Sequence, residues 1–223
     1  MDVSEESQRC GVVAIVGAPN AGKSTLVNAL VGQKVAITSP KAQTTRTRVM
    51  GVAIEGDAQI VLVDTPGIFA PKRRLDRAMV QAAWGGAQGA DLIALVVDGK
   101  AGLGPKMEPI VEALVHRSER KWLILNKVDI AIKEKLLVHT QKLYERVGFE
   151  ETFFISAQTG DGLAQLKTAF ADAMPQGPWH FPEDQVSDAT DRMLAAEITR
   201  EQLYHQLHAE LSYASAVDTE QYN

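Results

Sequence analysis

The sequence has little of what marks secreted and membrane proteins. It contains a single cysteine, Cys10, so an internal disulfide is excluded and a reduced, cytosolic location is favoured. Its longest apolar runs, such as residues 92–97, are far shorter than the roughly 20 residues of a membrane-spanning helix. The first six residues are polar and acidic, unlike a secretory signal peptide. We therefore expect a cytoplasmic protein with no transmembrane segment.

Basic residues are scarce toward the end of the chain. Residues 168–223 contain only Arg192 and Arg200 against ten acidic residues, whereas residues 1–167 contain 21 basic and 18 acidic residues. Because affinity for RNA depends largely on neutralising phosphates, we do not expect the acidic segment to hold RNA by itself.

Apolar segments of strand length alternate with amphipathic segments of helix length. We predict strands at 11–16, 48–54, 58–63, 91–97, 121–125 and 151–155, and helices at 23–31, 76–87, 106–117, 133–146 and 163–172. Strand runs that are apolar throughout are typical of sheets buried on both faces. The order predicts a doubly wound α/β domain with a mostly parallel six-stranded sheet, whose ligands bind beyond the carboxyl ends of the strands.

A second unit is predicted after a linker rich in proline and glycine. The linker runs from Pro175 past Pro182, and Ser187 or Asp188 is the predicted N-cap of the helix that follows. The predicted apolar face of that helix consists of Leu194, Ile198 and Leu203. A strand is predicted at 212–219.

Residues 17–25 fit the G-x-x-x-x-G-K-[ST] pattern of a phosphate-binding loop. The loop consists of Gly17, Ala18, Pro19, Asn20, Ala21, Gly22, Lys23, Ser24 and Thr25. It lies between a predicted strand and a predicted helix, where backbone N–H groups and the helix dipole bind anions. We predict that Lys23 reaches the outer phosphates and that the Ser24 hydroxyl binds Mg²⁺. The alternative is an ordinary glycine-rich strand–helix turn.

A second motif follows the predicted strand 58–63. It consists of Asp64, Thr65, Pro66, Gly67 and Ile68. An acid at the carboxyl end of a strand fits a magnesium role through water, and the Gly67 N–H can approach a γ-phosphate because glycine lacks a Cβ. Taken alone, these residue types are also common in turns.

Two further motifs follow the last predicted strands. The first is Asn126, Lys127, Val128 and Asp129; the second includes Ser156 and Ala157. A carboxylate accepts two hydrogen bonds, and guanine offers two adjacent donors where adenine does not, so Asp129 is predicted to select guanine. Asn126 is predicted to tie this loop to the phosphate loop, Lys127 to cover the base, and the 156–157 loop to close over the base. The four motifs, in this order at strand ends, predict a GTPase domain.

The residues around the motifs resemble those of one GTPase family. Residues 41–48, 64–76, 181–184 and 197–201 are similar to the Era family of bacterial ribosome-assembly GTPases, and the resemblance covers residues 10–223. It implies that GTP and GDP are the ligands and that the protein acts in small (30S) subunit assembly and 16S rRNA maturation. It also implies contact with 16S rRNA and the 30S subunit through a C-terminal KH domain, and peripheral association with the inner membrane.

The resemblance divides the chain into four parts. These are an N-terminal tail at 1–9, a G domain at 10–174, a linker at 175–190 and an incomplete α+β KH-like segment at 191–223. A KH domain clamps RNA with a G-x-x-G loop, and no glycine follows Gly177. We therefore expect little RNA binding by this segment.

The resemblance also assigns the cations. It places the first switch at Gln43, Thr44, Thr45 and Arg46. Thr45, preferred over Thr44, joins Ser24 and, through water, Asp64 at Mg²⁺. Asn20 is a candidate for K⁺, and the alternative is that it only adopts the backbone geometry of the loop. Ile68 stands where many GTPases carry a glutamine that orients water, so we expect slow intrinsic hydrolysis.

The predicted function is therefore a GTP-binding and GTP-hydrolysing switch. One alternative is a nearly inactive module that docks in a GTP-dependent way. Another is a ribosome-associated or tRNA-modification GTPase of a sister family, which the 181–184 segment and the helix after it disfavour.

Overall fold

The computed structural model describes residues 7–38, 49–68, 83–85, 87–206 and 217. Six strands form one sheet: β1 (Arg9–Gly17), β2 (Val49–Glu55), β3 (Ala58–Asp64), β4 (Leu92–Asp98), β5 (Arg120–Asn126) and β6 (Glu151–Phe154). The strand order is β2-β3-β1-β4-β5-β6, and only the β2–β3 pair is antiparallel. The predicted mostly parallel six-stranded sheet is confirmed.

The helices of the described residues lie between and after these strands. They are α1 (Lys23–Val31), α2 (Glu108–Val115), α3 (Lys133–Val147), α4 (Leu163–Ala173) and α5 (Asp191–Gln206), with a 3₁₀ turn at Val128–Ile130; residues 83–85 and 87 are also helical. Most of the predicted helix at 76–87 and nearly all of the predicted strand at 212–219 lie outside the described residues. Within the described chain, every helix is too short or too polar to cross a bilayer.

The core has two layers, one on each face of the sheet. Side chains of α1 and α4 pack on one face, and side chains of α2 and α3 pack on the other. Residues 92–97 of β4 are at most 1% exposed, because alternate side chains enter opposite layers. Burial on both faces explains why this strand is apolar throughout, and the strand order places its carboxyl end near the centre of the sheet edge.

A buried glutamine on β3 holds the linker. Gln59 is fully buried; its Oε1 accepts hydrogen bonds from the backbone N–H groups of His180 (2.9 Å) and Phe181 (3.0 Å). Its Nε2 donates to the Phe181 carbonyl at 2.8 Å. The side-chain amide thus fastens residues 180–181 to the sheet as a neighbouring strand would.

The predicted N-cap of the last helix is wrong. Ser187 donates through Oγ to the Met50 carbonyl (2.8 Å), and Asp188 accepts a hydrogen bond from the Met50 N–H (3.1 Å), so both bind β2. The cap is Thr190, whose Oγ1 accepts a hydrogen bond from the Met193 N–H at 3.3 Å. The better caps by residue type are used for a tertiary contact that the local sequence does not reveal.

The predicted apolar face of α5 is only partly buried, with Leu194 and Leu203 intermediate in exposure. Ile198 is 37% exposed, whereas Arg200 and Glu201 are 5% and 2% exposed. The Glu201 carboxylate accepts hydrogen bonds from the N–H of Thr38 (2.8 Å) and from its hydroxyl (3.2 Å), and it pairs with Lys34. Helix α5 is therefore held to the segment after α1 by a charged contact.

Candidate functional site

The phosphate-binding pattern lies between β1 and α1. Gly22 precedes the first turn of α1 with φ 94°, and a Cβ there would lie 2.2 Å from Nδ2 of Asn126. Only glycine therefore fits. Helix α1 has no side-chain N-cap and no acidic residue in its first turn, which leaves its N–H groups available to an anion.

Lys23 is a buried cation at the start of α1. Its residue is 6% exposed, and Nζ donates to the Ala18 carbonyl at 3.1 Å. Burial lowers the pKa of Lys23 to about 8, although the neighbouring Asp64 carboxylate acts in the opposite direction. A buried ammonium group beside bare backbone N–H groups gives this loop a strong preference for negative charge.

Ser24 and Asp64 meet where β3 ends. Ser24 Oγ donates to Asp64 Oδ2 at 2.6 Å, and Asp64 is fully buried. The next residue, Thr65, donates through Oγ1 to the Ile15 carbonyl (2.7 Å), which ties this turn to β1. A hydroxyl and a buried carboxylate in contact are the hard oxygen ligands that Mg²⁺ prefers, so this pair fits that ion.

Gly67 and Ile68 bring the second motif against the phosphate loop. A Cβ on Gly67 would lie 2.8 Å from the backbone of Pro19, so a larger residue would push the two loops apart. The Ile68 N–H donates to the Gly17 carbonyl at 2.9 Å, while the Ile68 side chain is 1% exposed in the layer of α2 and α3. The position after Gly67 therefore presents no polar side chain to the loop.

Asn126 joins three loops at the end of β5. Its Nδ2 donates to the Ala21 carbonyl at 2.9 Å. Its Oδ1 accepts hydrogen bonds from the N–H groups of Lys127 (2.8 Å) and Ala157 (2.9 Å). The phosphate loop, the 126–129 loop and the 156–157 loop are therefore held at one edge of the sheet by one buried side chain.

Lys127 bridges two loops with its ammonium group. Its backbone is left-handed (φ 64°), as is that of Asn20 (φ 65°). Nζ donates to the Asn20 carbonyl (2.7 Å) and to Oδ2 of Asp98 (2.6 Å). Asp98 was missed by sequence reasoning, although the signal that singled out Asp64, an acid at the carboxyl end of a strand, applies to it equally.

The proposed base-recognition residues lie in the turn after β5 and in the loop after β6. Asp129 is exposed in the 3₁₀ turn, and the N–H of Val128 donates to the Ile155 carbonyl at 3.2 Å. Ser156 is fully buried, and its Oγ accepts a hydrogen bond from the Thr159 N–H at 3.2 Å. The Ala157 N–H is engaged with Asn126, so in this structure it holds the loop rather than pointing to a ligand.

Part of the predicted site is not described. The first-switch residues Gln43, Thr44, Thr45 and Arg46 lie outside the described residues. Among the described residues, no cluster of three or more His, Cys, Asp or Glu side chains could hold a metal. A cation at this edge would therefore need hydroxyl or ligand oxygens beside Asp64.

Comparisons with known proteins agree with this geometry. A family profile described as "50S ribosome-binding GTPase" matches residues 12–127. GTPase Era of Erythrobacter litoralis is 61% identical over 224 residues, which cover 99% of this chain and 74% of the relative. GTPase Era of Afipia carboxidovorans is 57% identical over 212 residues, which cover 95% of this chain and 69% of the relative.

Solved structures give the same match. A crystal structure of Era in complex with MgGDPNP and nucleotides 1506–1542 of 16S ribosomal RNA aligns with a TM-score of 0.86 and 38% identity. The alignment covers 92% of this chain and 70% of that one. An Aquifex aeolicus Era variant bound to GDP·AlF₄⁻ aligns with a TM-score of 0.84 and 39% identity over 91% of this chain and 69% of the other.

Proposed function

The chain belongs to the Era family of GTPases, and we propose that it is a guanine-nucleotide switch that hydrolyses GTP to GDP and phosphate during assembly of the small ribosomal subunit. The observation that carries the proposal is the Asn126 side chain. Through it, the phosphate loop and the two loops proposed to hold the base form a single site. The relatives disfavour the sister-family alternative, since the two relatives described above, matched over 95–99% of this chain, are Era GTPases.

Each part of the site has a proposed task. The backbone N–H groups of residues 17–25 and the Lys23 ammonium hold the phosphates. The exposed Asp129 carboxylate accepts hydrogen bonds from the guanine N1–H and exocyclic amine. The Lys127 stem lies against the base, and the loop at Ser156 and Ala157 closes the base pocket.

Mg²⁺ is the proposed cofactor. Ser24 and, through water, Asp64 would hold it, together with Thr45 of the first switch. The bound ion would neutralise charge that develops on the phosphates. Ser24 Oγ donates to Asp64 Oδ2 at 2.6 Å, and a hydroxyl oxygen that donates its proton to a carboxylate can still bind a cation through a lone pair, so the contact is compatible with the ion.

Hydrolysis is proposed to be slow without help. Ile68 is buried in the core, so it cannot orient an attacking water. K⁺ at Asn20 is the proposed source of additional positive charge. The left-handed backbone of Asn20 also fits the simpler role of shaping the loop, and the two roles are compatible.

The proposed partner is 16S rRNA on the 30S subunit, because the Era relative of known structure holds nucleotides 1506–1542 of that RNA. The family profile names the 50S subunit, but it covers only residues 12–127 and so describes a shared domain. We propose a G domain at 10–174, a linker at 175–190 and a KH-like segment from 191. The cytoplasm is the proposed location, and membrane contact rests on family resemblance alone.

Exchange of Asp129→Asn tests the site directly. An asparagine keeps one acceptor but places a donor opposite the guanine amine, so we expect GDP affinity to fall by about a hundredfold or more. Xanthine carries a carbonyl in place of that amine, so the variant should gain affinity for XDP. Fluorescence titration with labelled GDP and XDP measures both.

The control for this exchange is Asp161→Asn, an exposed aspartate in the neighbouring loop. It should leave both affinities near those of the unmodified protein. An Asp129→Asn protein that binds GDP as tightly as the unmodified protein would refute the proposed guanine site. Single-turnover hydrolysis decides between the switch and the docking module, because the module predicts a rate close to that of GTP in water.

A further inference from the structure

Asp98 is an acidic residue that no motif of the site includes. It is the last residue of β4, and its register partner on β5 is Asn126. The two strands therefore end side by side. Gly99, directly after Asp98, donates its N–H to the Asn126 carbonyl at 2.8 Å, which keeps the two turns in contact.

The two carboxylate oxygens of Asp98 have separate tasks. Oδ1 accepts hydrogen bonds from the N–H groups of Lys100 (2.9 Å) and Ala101 (3.0 Å), which forms the turn after β4. Oδ2 accepts from Nζ of Lys127 at 2.6 Å. Burial by itself would raise the pKa of Asp98, but Lys127 and the two N–H groups outweigh it and hold the pKa below its usual value. The carboxylate is therefore ionised at neutral pH.

Lys127 is held in an unusual conformation by these contacts. Its backbone is left-handed, which costs a non-glycine residue free energy, and its side chain must stretch across to the phosphate loop. Two groups accept hydrogen bonds from the Lys127 ammonium group: the Asn20 carbonyl and the Asp98 carboxylate. Both hydrogen bonds are charge-assisted because the donor is an ammonium group, but only the contact with Asp98 is also an ion pair between opposite charges.

We propose that Asp98 is a positioning residue, which fixes Lys127 across the phosphate loop and thereby slows the release of guanine nucleotide. The proposal rests on the proposed nucleotide site. Without the carboxylate, the lysine stem is no longer held over the base position, and the bond between the 126–129 loop and Asn20 is weakened. The nucleotide then leaves faster, while the phosphates of bound GTP keep their surroundings.

Asp98→Asn is the test variant, because an asparagine Oδ1 still accepts from Lys100 and Ala101 and so preserves the turn. We expect the dissociation rate of fluorescent GDP, measured by stopped-flow displacement, to rise about tenfold, since one charge-assisted contact is lost. The rate of single-turnover hydrolysis of pre-bound GTP should change less than twofold. Lys127→Met, which removes the ammonium group, should raise the dissociation rate by itself.

A double-variant cycle separates positioning from turn formation. If Asp98 acts through Lys127, Asp98→Asn should have no further effect on dissociation in a Lys127→Met background. Glu108→Gln is the matched control, since it breaks the Arg146–Glu108 ion pair between α2 and α3, away from the site. It should leave the dissociation rate unchanged.

Two results would overturn the proposal: an unchanged dissociation rate in Asp98→Asn, or an equal rise with and without Lys127. The second result would assign Asp98 to the turn alone. Failure of the unmodified protein to bind GDP would instead refute the proposed function, so the two failures are distinguishable. Thermal unfolding would show whether Asp98→Asn folds. If it does not fold, Lys127→Met alone must still speed GDP release. An unchanged rate of GDP release in Lys127→Met would refute the proposal.

Discussion

Burial of the Lys23 ammonium group destabilises the folded protein when no nucleotide is bound. Its pKa is lowered from 10.5 to about 8 by burial, so the charged form is less stable in the folded chain than in the unfolded chain. The shift corresponds to about 3 kcal/mol of destabilisation, which is fully present below pH 8 and is relieved as the pH rises from 8 to 10.5. A bound phosphate would supply the opposite charge and reverse this effect.

Lys23→Met should therefore stabilise the nucleotide-free protein at pH 7 by about 1–3 kcal/mol, after the lost hydrogen bond to Ala18 is subtracted. Urea unfolding at pH 7 and pH 10 measures the difference, which should shrink at pH 10 because Lys23 is then uncharged in the folded state. The same variant should lose nucleotide binding. Lys106→Met, at an exposed position, is the control and should change neither quantity; a destabilised Lys23→Met at pH 7 would contradict the assignment.

Sequence reasoning at the level of residues works where the partners are close in sequence. The loop at 17–25 could be predicted because one contiguous pattern holds the glycine, the lysine and the helix start. The partners of Asp98 and Gln59 could not be predicted, because Lys127 and Phe181 are distant from them in the chain. A polar residue in a predicted strand shows that it needs a partner, but its pattern does not say which one.

Strands and helices, like single residues, can be predicted where the signal is local in the sequence. Strand β4 lies within one residue of its predicted bounds at each end. The prediction succeeds because a strand buried on both faces appears in the sequence as one uninterrupted apolar run. Helix α5 was misread at its start and on its packed face. Ser187 and Asp188 bind Met50 of β2, and Arg200 and Glu201 are more deeply buried than the predicted apolar face. The spacing of apolar residues does not reveal which face of a helix packs when the contacts are made by charged side chains.

Glu201 is expected to hold α5 in place. Burial would raise its pKa, but Lys34 and the Thr38 groups hold the pKa below its usual value, so the contact should weaken only as the pH falls below the ordinary glutamate range. Glu201→Ala leaves the Thr38 N–H without its carboxylate acceptor, which costs about 1–2 kcal/mol. Hydrogen exchange at Thr38 and along α5 should then quicken about tenfold.

The control for this contact is Glu108→Ala, which removes an exposed carboxylate paired with Arg146. Exposed ion pairs contribute little, so exchange at Thr38 should not change. Equal protection of α5 in Glu201→Ala and the unmodified protein would show that other contacts hold the helix.

At the scale of the whole molecule, the sheet order brings the site together. Strands β3, β1, β4 and β5 are neighbours and parallel, so the loops after them meet at one edge, although contacting residues such as Ala21 and Asn126 are 105 residues apart in sequence. The position of the site was therefore predictable once the fold class was known. Its polar contacts were not, because they depend on the lengths and turns of loops from different parts of the chain.

GTP hydrolysis needs a group or ion that the loops at this edge of the sheet do not supply. Ile68 is 1% exposed in the core, so its side chain offers no hydrogen bond to an attacking water, and assistance to hydrolysis must come from another group or ion. If K⁺ binds at Asn20, GTP turnover should be at least several-fold faster in potassium than in sodium at equal ionic strength. Asn20→Gly keeps the left-handed backbone but removes the side-chain ligand, so it should abolish the difference while GDP binding persists. Equal rates in the two salts would reject potassium and leave Asn20 with its backbone role alone.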